Sequence, residues 1–312
     1  MGGSIRVKKE CMNNCKVANM LTVNKGLAKK EMIRVSTLPS RKIVTLVNLC
    51  QDKNIQLSCN DISPYDMAVM DAFYTLYKSG YQTFSLQTII RVMSGNMDQD
   101  ITAQKIARLK ESVEKLRLIL ITIDCTDELR ARKLIEKDET AKYRSYFLPV
   151  SSMEIQSGNQ TVVEGYRLLE LPALYAYAER IKQMISVPIE LLASTGGFLP
   201  DTDENIVLKR YLLKRIARMK KEKATVYSRR IRYEWYDRKA QREKGMFAEL
   251  GYREEDFASR SSWLNKRAKV HKVVKQILDA FRQAGYIAGY SETREGNTIT
   301  GVEILLGETT EK

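Results

Sequence analysis

Apolar and polar positions alternate differently in different parts of the chain. Up to residue 60 the pattern is mixed, with residues 33–35 and 43–47 reading as short strands on either side of a turn containing Pro39. From Ser63 the period becomes helical. Ser63 suits the N-cap, Pro64 the first turn and Asp66 the positive end of the helix dipole. Met67, Met70, Phe73, Tyr74 and Tyr77 follow at helical spacing, and Gly80 is the stop. Thr83 and Phe84 form an extended link. Ser85 caps a short helix with Leu86, Ile89, Ile90 and Met93, which ends at Ser94, Gly95 and Asn96. A third helix starts near Thr102. Its apolar face is Ile106, Leu109, Val113 and Leu116, and its polar face is Thr102, Lys105, Arg108, Ser112 and Lys115. The β-branched run at 118–124 reads as a strand that pairs with 143–150 across a charged stretch.

Helix, short strand, helix, helix and β-hairpin is the plan of a winged helix. In that plan the third helix enters the major groove and the hairpin touches the backbone or minor groove. A connecting region follows: a strand at 160–169, then a helix at 172–184 with Leu174, Ala178, Ile181 and Ile185 on one side. Ser194, Gly196, Gly197 and Pro200 punctuate the chain. The plan then repeats. A helix opening at Thr202 or Asp203 carries Ile206, Leu208, Tyr211, Leu212, Ile216 and Met219. Residues 230–235 read as a strand or a helix edge, and 246–250 as a short helix. A long helix capped by Ser261 or Ser262 runs from Trp263 to about Ala284, with Val270, Val274, Ile277 and Phe281 toward the core. Strands at 286–290 and 299–305 flank a polar turn at 292–297 with Arg294 at its tip. The expected fold class is mainly α with small β-hairpins (α+β), as two tandem winged-helix domains. The expected organisation is an N-terminal segment 1–60, a first domain 61–193 and a second, strongly basic domain 194–312.

Charge sharpens this picture. The 312 residues include 52 Lys and Arg against 38 Asp and Glu, a formal net charge of +14. Residues 209–282 alone hold 23 Lys and Arg against 9 Asp and Glu, an excess equal to that of the whole chain. Self-repulsion on that scale favours a polyanionic partner. The apolar share of 44% is enough to bury a core. No apolar run reaches the roughly 18 residues of a membrane span, and no signal-peptide pattern opens the chain. The expected location is the cytoplasm.

Little catalytic chemistry is on offer. The five cysteines, Cys11, Cys15, Cys50, Cys59 and Cys125, are odd in number and irregular in spacing, which fits a reducing compartment better than a disulfide framework. Cys11 and Cys15 lack a second ligand pair for zinc. The single histidine, His271, sits among lysines and reads as a surface or groove-lining residue; it rules out a two-histidine metal cluster. There is no phosphate-binding Gly-rich loop with Lys-Ser/Thr and no Gly-x-Ser-x-Gly. The chain is expected to be no enzyme and to use no cofactor or metal.

The stretch 65–132 resembles the first winged helix of replication initiator proteins of plasmids and integrative elements, which carry two tandem winged helices. The matching residues are Tyr65-Asp66-Met67-Ala68-Val69-Met70-Asp71-Ala72-Phe73, Phe84-Ser85-Leu86-Gln87-Thr88-Ile89-Ile90, the Met93-Ser94-Gly95 break, and Ser112-Val113-Glu114-Lys115-Leu116-Arg117 with its following strand. Val187-Pro188-Ile189-Glu190-Leu191-Leu192 and residues 207–215 extend the resemblance, which covers about 60–306. It implies binding to short origin repeats, one major groove per domain, recruitment of host replication proteins, and homodimerisation through the first domain. The long charged stretch 227–259 departs from the family's pattern.

On this reading the partner is double-stranded DNA. Phosphates would be met by Lys214, Arg215, Arg218, Arg229, Arg230 and Arg294. Bases would be read from the two third helices, by Gln104, Lys105, Arg108 and Lys110 in the first and by Asn265, Lys266, Lys269 and Lys272 in the second. Arg and Lys suit guanine edges; Asn and Gln suit adenine. The competing readings are a winged-helix transcription regulator, an RNA-binding protein and a carboxylate-based nuclease. Membrane-surface binding is disfavoured, because the basic helices spend their apolar stripes on a core.

Overall fold

The computed structural model describes residues 7–15, 18, 32–33, 46–48, 55–58, 62–98, 100–124, 126, 130, 133–158, 160–180, 182–193, 199, 202–223, 229–238 and 242–307. Its secondary structure is mixed helix and strand. Two compact units form: one spans Met1–Met93 and Met97–Met184, the other Ile185–Lys312 with Ser94–Asn96. The Pro39 turn and Cys50, Cys59 and Cys125 lie outside the described residues.

The first unit holds β1 (Lys9–Asn13), β2 (Met32–Ile33), β3 (Leu46–Asn48), β4 (Ile55–Ser58), α1 (Pro64–Lys78), β5 (Thr83–Ser85), α2 (Leu86–Ser94), α3 (Ala103–Arg117), β6 (Leu120–Asp124), β7 (Lys142–Tyr146), β8 (Val150–Ser157), β9 (Gln160–Leu168) and α4 (Ala173–Arg180). Its core is α1, whose Met70, Ala72, Phe73 and Leu76 are fully buried. Phe73 meets Phe84 edge to face at 5.5 Å. At the start of α1, Ser63 Oγ accepts from the Asp66 N–H and Asp66 Oδ2 accepts from the Ser63 N–H, a reciprocal cap. Asp66 does more than favour the dipole. It is buried, accepts from Ser112 Oγ at 2.6 Å and forms an ion pair with Lys115. Ser112 and Lys115 of α3 therefore turn toward α1 rather than outward as their polar-face spacing suggested, because a buried carboxylate needs partners.

The first unit contains two antiparallel strand pairs after α3. The expected pairing of 118–124 with 143–150 does form, as β6 with β7. That hairpin extends the sheet ordered β2-β3-β4-β6-β7. Strand β5, between the first two helices, instead pairs with β9 in a sheet ordered β5-β9-β8. The hairpin joined to the helical core is thus β8–β9, within the stretch read as a connecting region.

The second unit opens with β10 (Met184–Pro188) and α5 (Glu190–Ala193). It continues with α6 (Asp203–Lys221), β11 (Arg230–Arg232), β12 (Trp235–Asp237), β13 (Arg242–Lys244), α7 (Met246–Glu249), α8 (Arg260–Gln283), β14 (Gly289–Glu295) and β15 (Thr298–Leu305). Thr202 caps α6. The cap of α8 is Ser259, whose Oγ accepts from the Ser262 N–H, two or three residues earlier than the sequence pattern indicated. Val270, Val274, Ile277 and Phe281 are fully buried. Residues 230–235, ambiguous in sequence, divide into β11 and the start of β12. The sheet is ordered β11-β15-β14, the arrangement of β5-β9-β8 in the first unit. Arg294 lies within β14, and the turn itself is Gly296-Asn297.

The two sheets share a packing device. A Cβ on Gly165 of β9 would stand 2.2 Å from the Phe84 carbonyl oxygen, and one on Gly301 of β15 would stand 2.5 Å from that of Ile231. In each case a glycine on the middle strand lets the preceding strand cross close over it. A methyl group at these distances from backbone cannot be relieved by a side-chain rotation. Gly165→Ala and Gly301→Ala should each cost about 1–3 kcal/mol, read as a lowered urea midpoint with an unchanged slope. Gly296→Ala at the exposed turn, where space is open but φ is positive, should cost about 1 kcal/mol.

Candidate nucleic-acid interface

The second unit's long helix, α8, carries the most suggestive surface. Its inner side packs into an aromatic cluster: Trp263 lies 5.0 Å from Phe247, Tyr233 lies 5.6 Å from Phe247, and His271 lies 4.1 Å from Tyr233. Arg267 lies over the Phe247 ring and forms an ion pair with Glu234 at 2.6 Å. These contacts fix the rotation of the helix. The side left exposed carries Ser261, Leu264, Asn265, Ala268, Lys269 and Lys272.

His271 is not a groove-lining residue. It is half-buried against Tyr233 and Phe247, and among the described residues its buried Nε2 has no hydrogen-bond partner. Burial, with the Arg267 charge second, pushes its pKa down to about 4. Its place one turn beyond Arg267 put it beside the core, which the surrounding lysines obscured.

The eight base-reading candidates divide. Asn265, Lys269 and Lys272 lie together on the exposed side of α8, at steps of four and three. Lys266 does not join them: its Nζ reaches Glu204 of α6 at 2.5 Å and lies over the Tyr252 ring. On α3, Gln104 is exposed and Lys105 half-buried. The Arg108 guanidinium lies 4.0 Å over the Tyr65 ring, and Lys110 forms an ion pair with Glu164 at 2.5 Å. The first unit's candidates are thus largely engaged within the unit.

Of the phosphate candidates, Arg218 pairs with Glu222 at 2.7 Å, Arg230 with Glu303 at 3.5 Å and Arg294 with Glu292 at 2.7 Å. Arg218–Glu222 is an exposed pair, worth little in water, so that guanidinium can exchange its carboxylate for a phosphate at small cost; Arg230 and Arg294 are exposed themselves but pair with the less exposed Glu303 and Glu292. Lys214, Arg215 and Arg229 are half-buried, and Arg215 Nε is buried without a hydrogen-bond partner among the described residues.

Sequence reasoning passed over two features. Leu264 is 53% exposed; it falls off the 263–270–274–277–281 stripe, which was the available signal. The hairpin of β12 and β13 exposes Trp235 and Tyr236 and stands in the charged stretch 227–259. Among the described residues, no group of three His, Cys, Asp or Glu side chains is placed to hold a metal ion. Nor is any helix among them long and apolar enough to cross a membrane.

No protein-family model matches the chain, and no curated protein matches it. Among solved structures, a selenomethionine derivative of domains 2 and 3 of RctB aligns over 87% of this chain and 93% of its own, at 10% identity and a TM-score of 0.43. A second crystal structure, RctB domains 2-3 spanning 155–483, aligns over 88% and 90%, at 11% identity and a TM-score of 0.40. Superposition this loose carries no argument about fold or role.

The His271 environment makes a pH prediction. A folded pKa near 4 against an ordinary 6.5 means that the unfolded chain binds the proton first. The neutral-imidazole contribution is complete above pH 6.5 and is lost as pH falls from 6.5 toward 4. Over that window His271 should account for about 3 kcal/mol of lost stability. In His271→Phe that loss is absent, so the wild-type-minus-variant difference in urea unfolding free energy, measured pH by pH, should be level above pH 6.5 and fall by about 3 kcal/mol between pH 6.5 and 4.

Proposed function

We propose that the chain is a non-enzymatic, sequence-specific reader of double-stranded DNA built from two winged helices. In the second, α6, β11, α7, α8 and the β14–β15 hairpin are the successive elements, α8 is the major-groove helix and β14–β15 is the wing. The first repeats the plan as α1, β5, α2, α3 and β8–β9. The observation that carries the proposal is the exposed side of α8. Asn265, Lys269 and Lys272 share it, and it lies in the segment that holds the chain's charge excess.

The chemistry is specific. Asn265 can make a bidentate pair with adenine, and Lys269 and Lys272 can reach guanine edges or phosphate. Leu264 and Ala268 beside them can pack on a thymine methyl. Arg218, Arg230 and Arg294 would hold the backbone. Because α3 spends Arg108 and Lys110 inside its own unit, the second unit would supply most of the base reading.

The biological role that fits is initiation of replication of a plasmid or mobile element at origin repeats, with recruitment of host replication proteins. The resemblance of 60–306 to two-winged-helix initiators supports it. A transcription regulator of the same fold would bind DNA in the same way; dependence of a minimal origin's replication on this chain separates the two.

Binding to a duplex selected from a random library, followed by anisotropy over a salt series, tests the reading. Affinity should fall steeply with salt, and Lys269→Ala should reduce the log–log slope by about 1. Asn265→Ala should cost about 1–3 kcal/mol and relax preference at one adenine. Lys266→Ala should lower stability and leave the selected sequence unchanged. No duplex binding at low salt would overturn the reading.

A further inference from the structure

An ion triad joins α8 to the β14–β15 hairpin. On the exposed side of the helix, Asn265, Lys269 and Lys272 are followed three residues later by Lys275, which is exposed as well. Lys275 Nζ pairs with Glu292 Oε1 of β14 at 2.5 Å, and Arg294 Nη2 reaches Glu292 Oε2 at 2.7 Å. Two cations, one from the helix and one from the hairpin, therefore converge on the two oxygens of one carboxylate. Beside them the Tyr290 hydroxyl donates to Asp279 of α8 at 3.2 Å, which fixes the base of β14 against the helix.

The three side chains differ in depth. That of Glu292 is 17% exposed, while those of Lys275 and Arg294 are 46% and 53% exposed. An anion approaching from solvent meets the cations before the carboxylate. Hydrogen bonds from Lys275 first, then Arg294, hold the Glu292 carboxyl below the usual carboxylate range, so it is charged at neutral pH. The seam thus keeps a surplus of positive charge. The first unit has none at the corresponding place. There Lys110 of α3 pairs with Glu164 of β9, Glu154 stands directly opposite Glu164, and residues 150–166 hold no Lys or Arg.

We propose that Lys275 and Arg294 form a phosphate clamp between α8 and the wing, and that Glu292 is its built-in counter-charge, which limits the grip on the duplex backbone. A helix in the major groove and a wing on the backbone converge on one stretch of duplex. A carboxylate shared by an ammonium and a guanidinium stands in for the phosphate oxygens that such a pair would bind. Magnitudes fix the sign of the Glu292 effect. Ordering two exposed cations by pairing contributes about two- to fivefold. One phosphate more or fewer neutralised changes affinity about eightfold at ~0.1 M salt, so the cancelled positive charge dominates. The inference rests on the α8 reading and deepens it. It adds Lys275 to the backbone contacts and makes the affinity for any duplex a quantity that Glu292 sets.

The experiment titrates the full chain with a random-sequence duplex and with the duplex obtained by selection, by anisotropy over a salt series. Glu292→Gln should bind both about eightfold more tightly at ~0.1 M salt, with a log–log slope steeper by about 1. The gain should be equal for the two duplexes, since phosphates carry no sequence. Lys275→Gln should make the slope shallower by about 1. Glu292→Gln/Lys275→Gln should return to the wild-type slope, because the two charge changes cancel. Urea midpoints confirm that the variants fold, and the double variant, which removes a carboxylate together with its helix cation, keeps the test open where the single Glu292→Gln variant does not. A shallower slope in Glu292→Gln or in the double variant would mean that the carboxylate only positions the cations, and would overturn the counter-charge. Unchanged affinity and slope in all three variants would overturn the clamp and leave the α8 reading standing. Failure of wild type to bind any duplex would overturn the α8 reading itself.

Discussion

The orientation of α8 about its own axis decides what the second unit can offer a partner. That orientation is held by the aromatic cluster around Phe247. Trp263 and His271 point into it from α8, two turns apart, while Tyr233 closes it from the strand side. Arg267 lies between them, over Phe247, and reaches out to Glu234. Turning the helix by one residue would pull the indole and the imidazole out of the cluster and present charge to the core. The same contacts that bury Trp263, Val270, Val274 and Ile277 therefore leave Asn265, Lys269 and Lys272 outside. The structural reason for the neutral His271 and the chemical reason for the exposed cationic stripe are one packing decision.

The first unit uses a different anchor for its corresponding helix. Asp66, at the first turn of α1, is the acceptor for its own cap, for Ser112 and for Lys115 of α3. A buried carboxylate so surrounded is satisfied in full, whereas removing one partner would leave it exposed to the desolvation cost. Asp71, one further turn along, accepts from the Asn13 backbone and the Tyr175 hydroxyl and ties β1 and α4 to the same helix. Polar residues that would otherwise face solvent on α3 are drawn inward. The two units thus share a sheet order and a glycine crossing while differing in how much of the third helix remains available.

Much of this plan was legible from spacing. The apolar stripes of α1, α3 and α8 stand where their three- and four-residue steps put them, because burying such a stripe dominates the local energetics. The hairpins were harder. The run from Ile119 to Asp124 has the stronger β-branched signal, but a strand's partner is set by what the sheet edge offers, and β5 offers its edge to β9. Gly165 and Gly301 carried a usable signal: a glycine inside an apolar strand marks close backbone approach. Nothing in local pattern separates Lys266 from Lys269. Both are lysines on the polar side of one helix, and Glu204 and Tyr252, both remote in sequence, draw the first inward. Trp235 and Tyr236 were hidden for the opposite reason, since aromatics in a strand ordinarily read as core.

The central claim, that α8 lies in a major groove, is tested most directly by methylation interference on a selected duplex. Methyl groups at guanine N7 stand in the major groove, and those at adenine N3 in the minor groove. The account predicts that N7 methylation within the core of the selected site blocks binding, and that Lys269→Ala and Lys272→Ala remove the interference at individual guanines. Interference confined to adenine N3, with N7 methylation tolerated throughout, would contradict it.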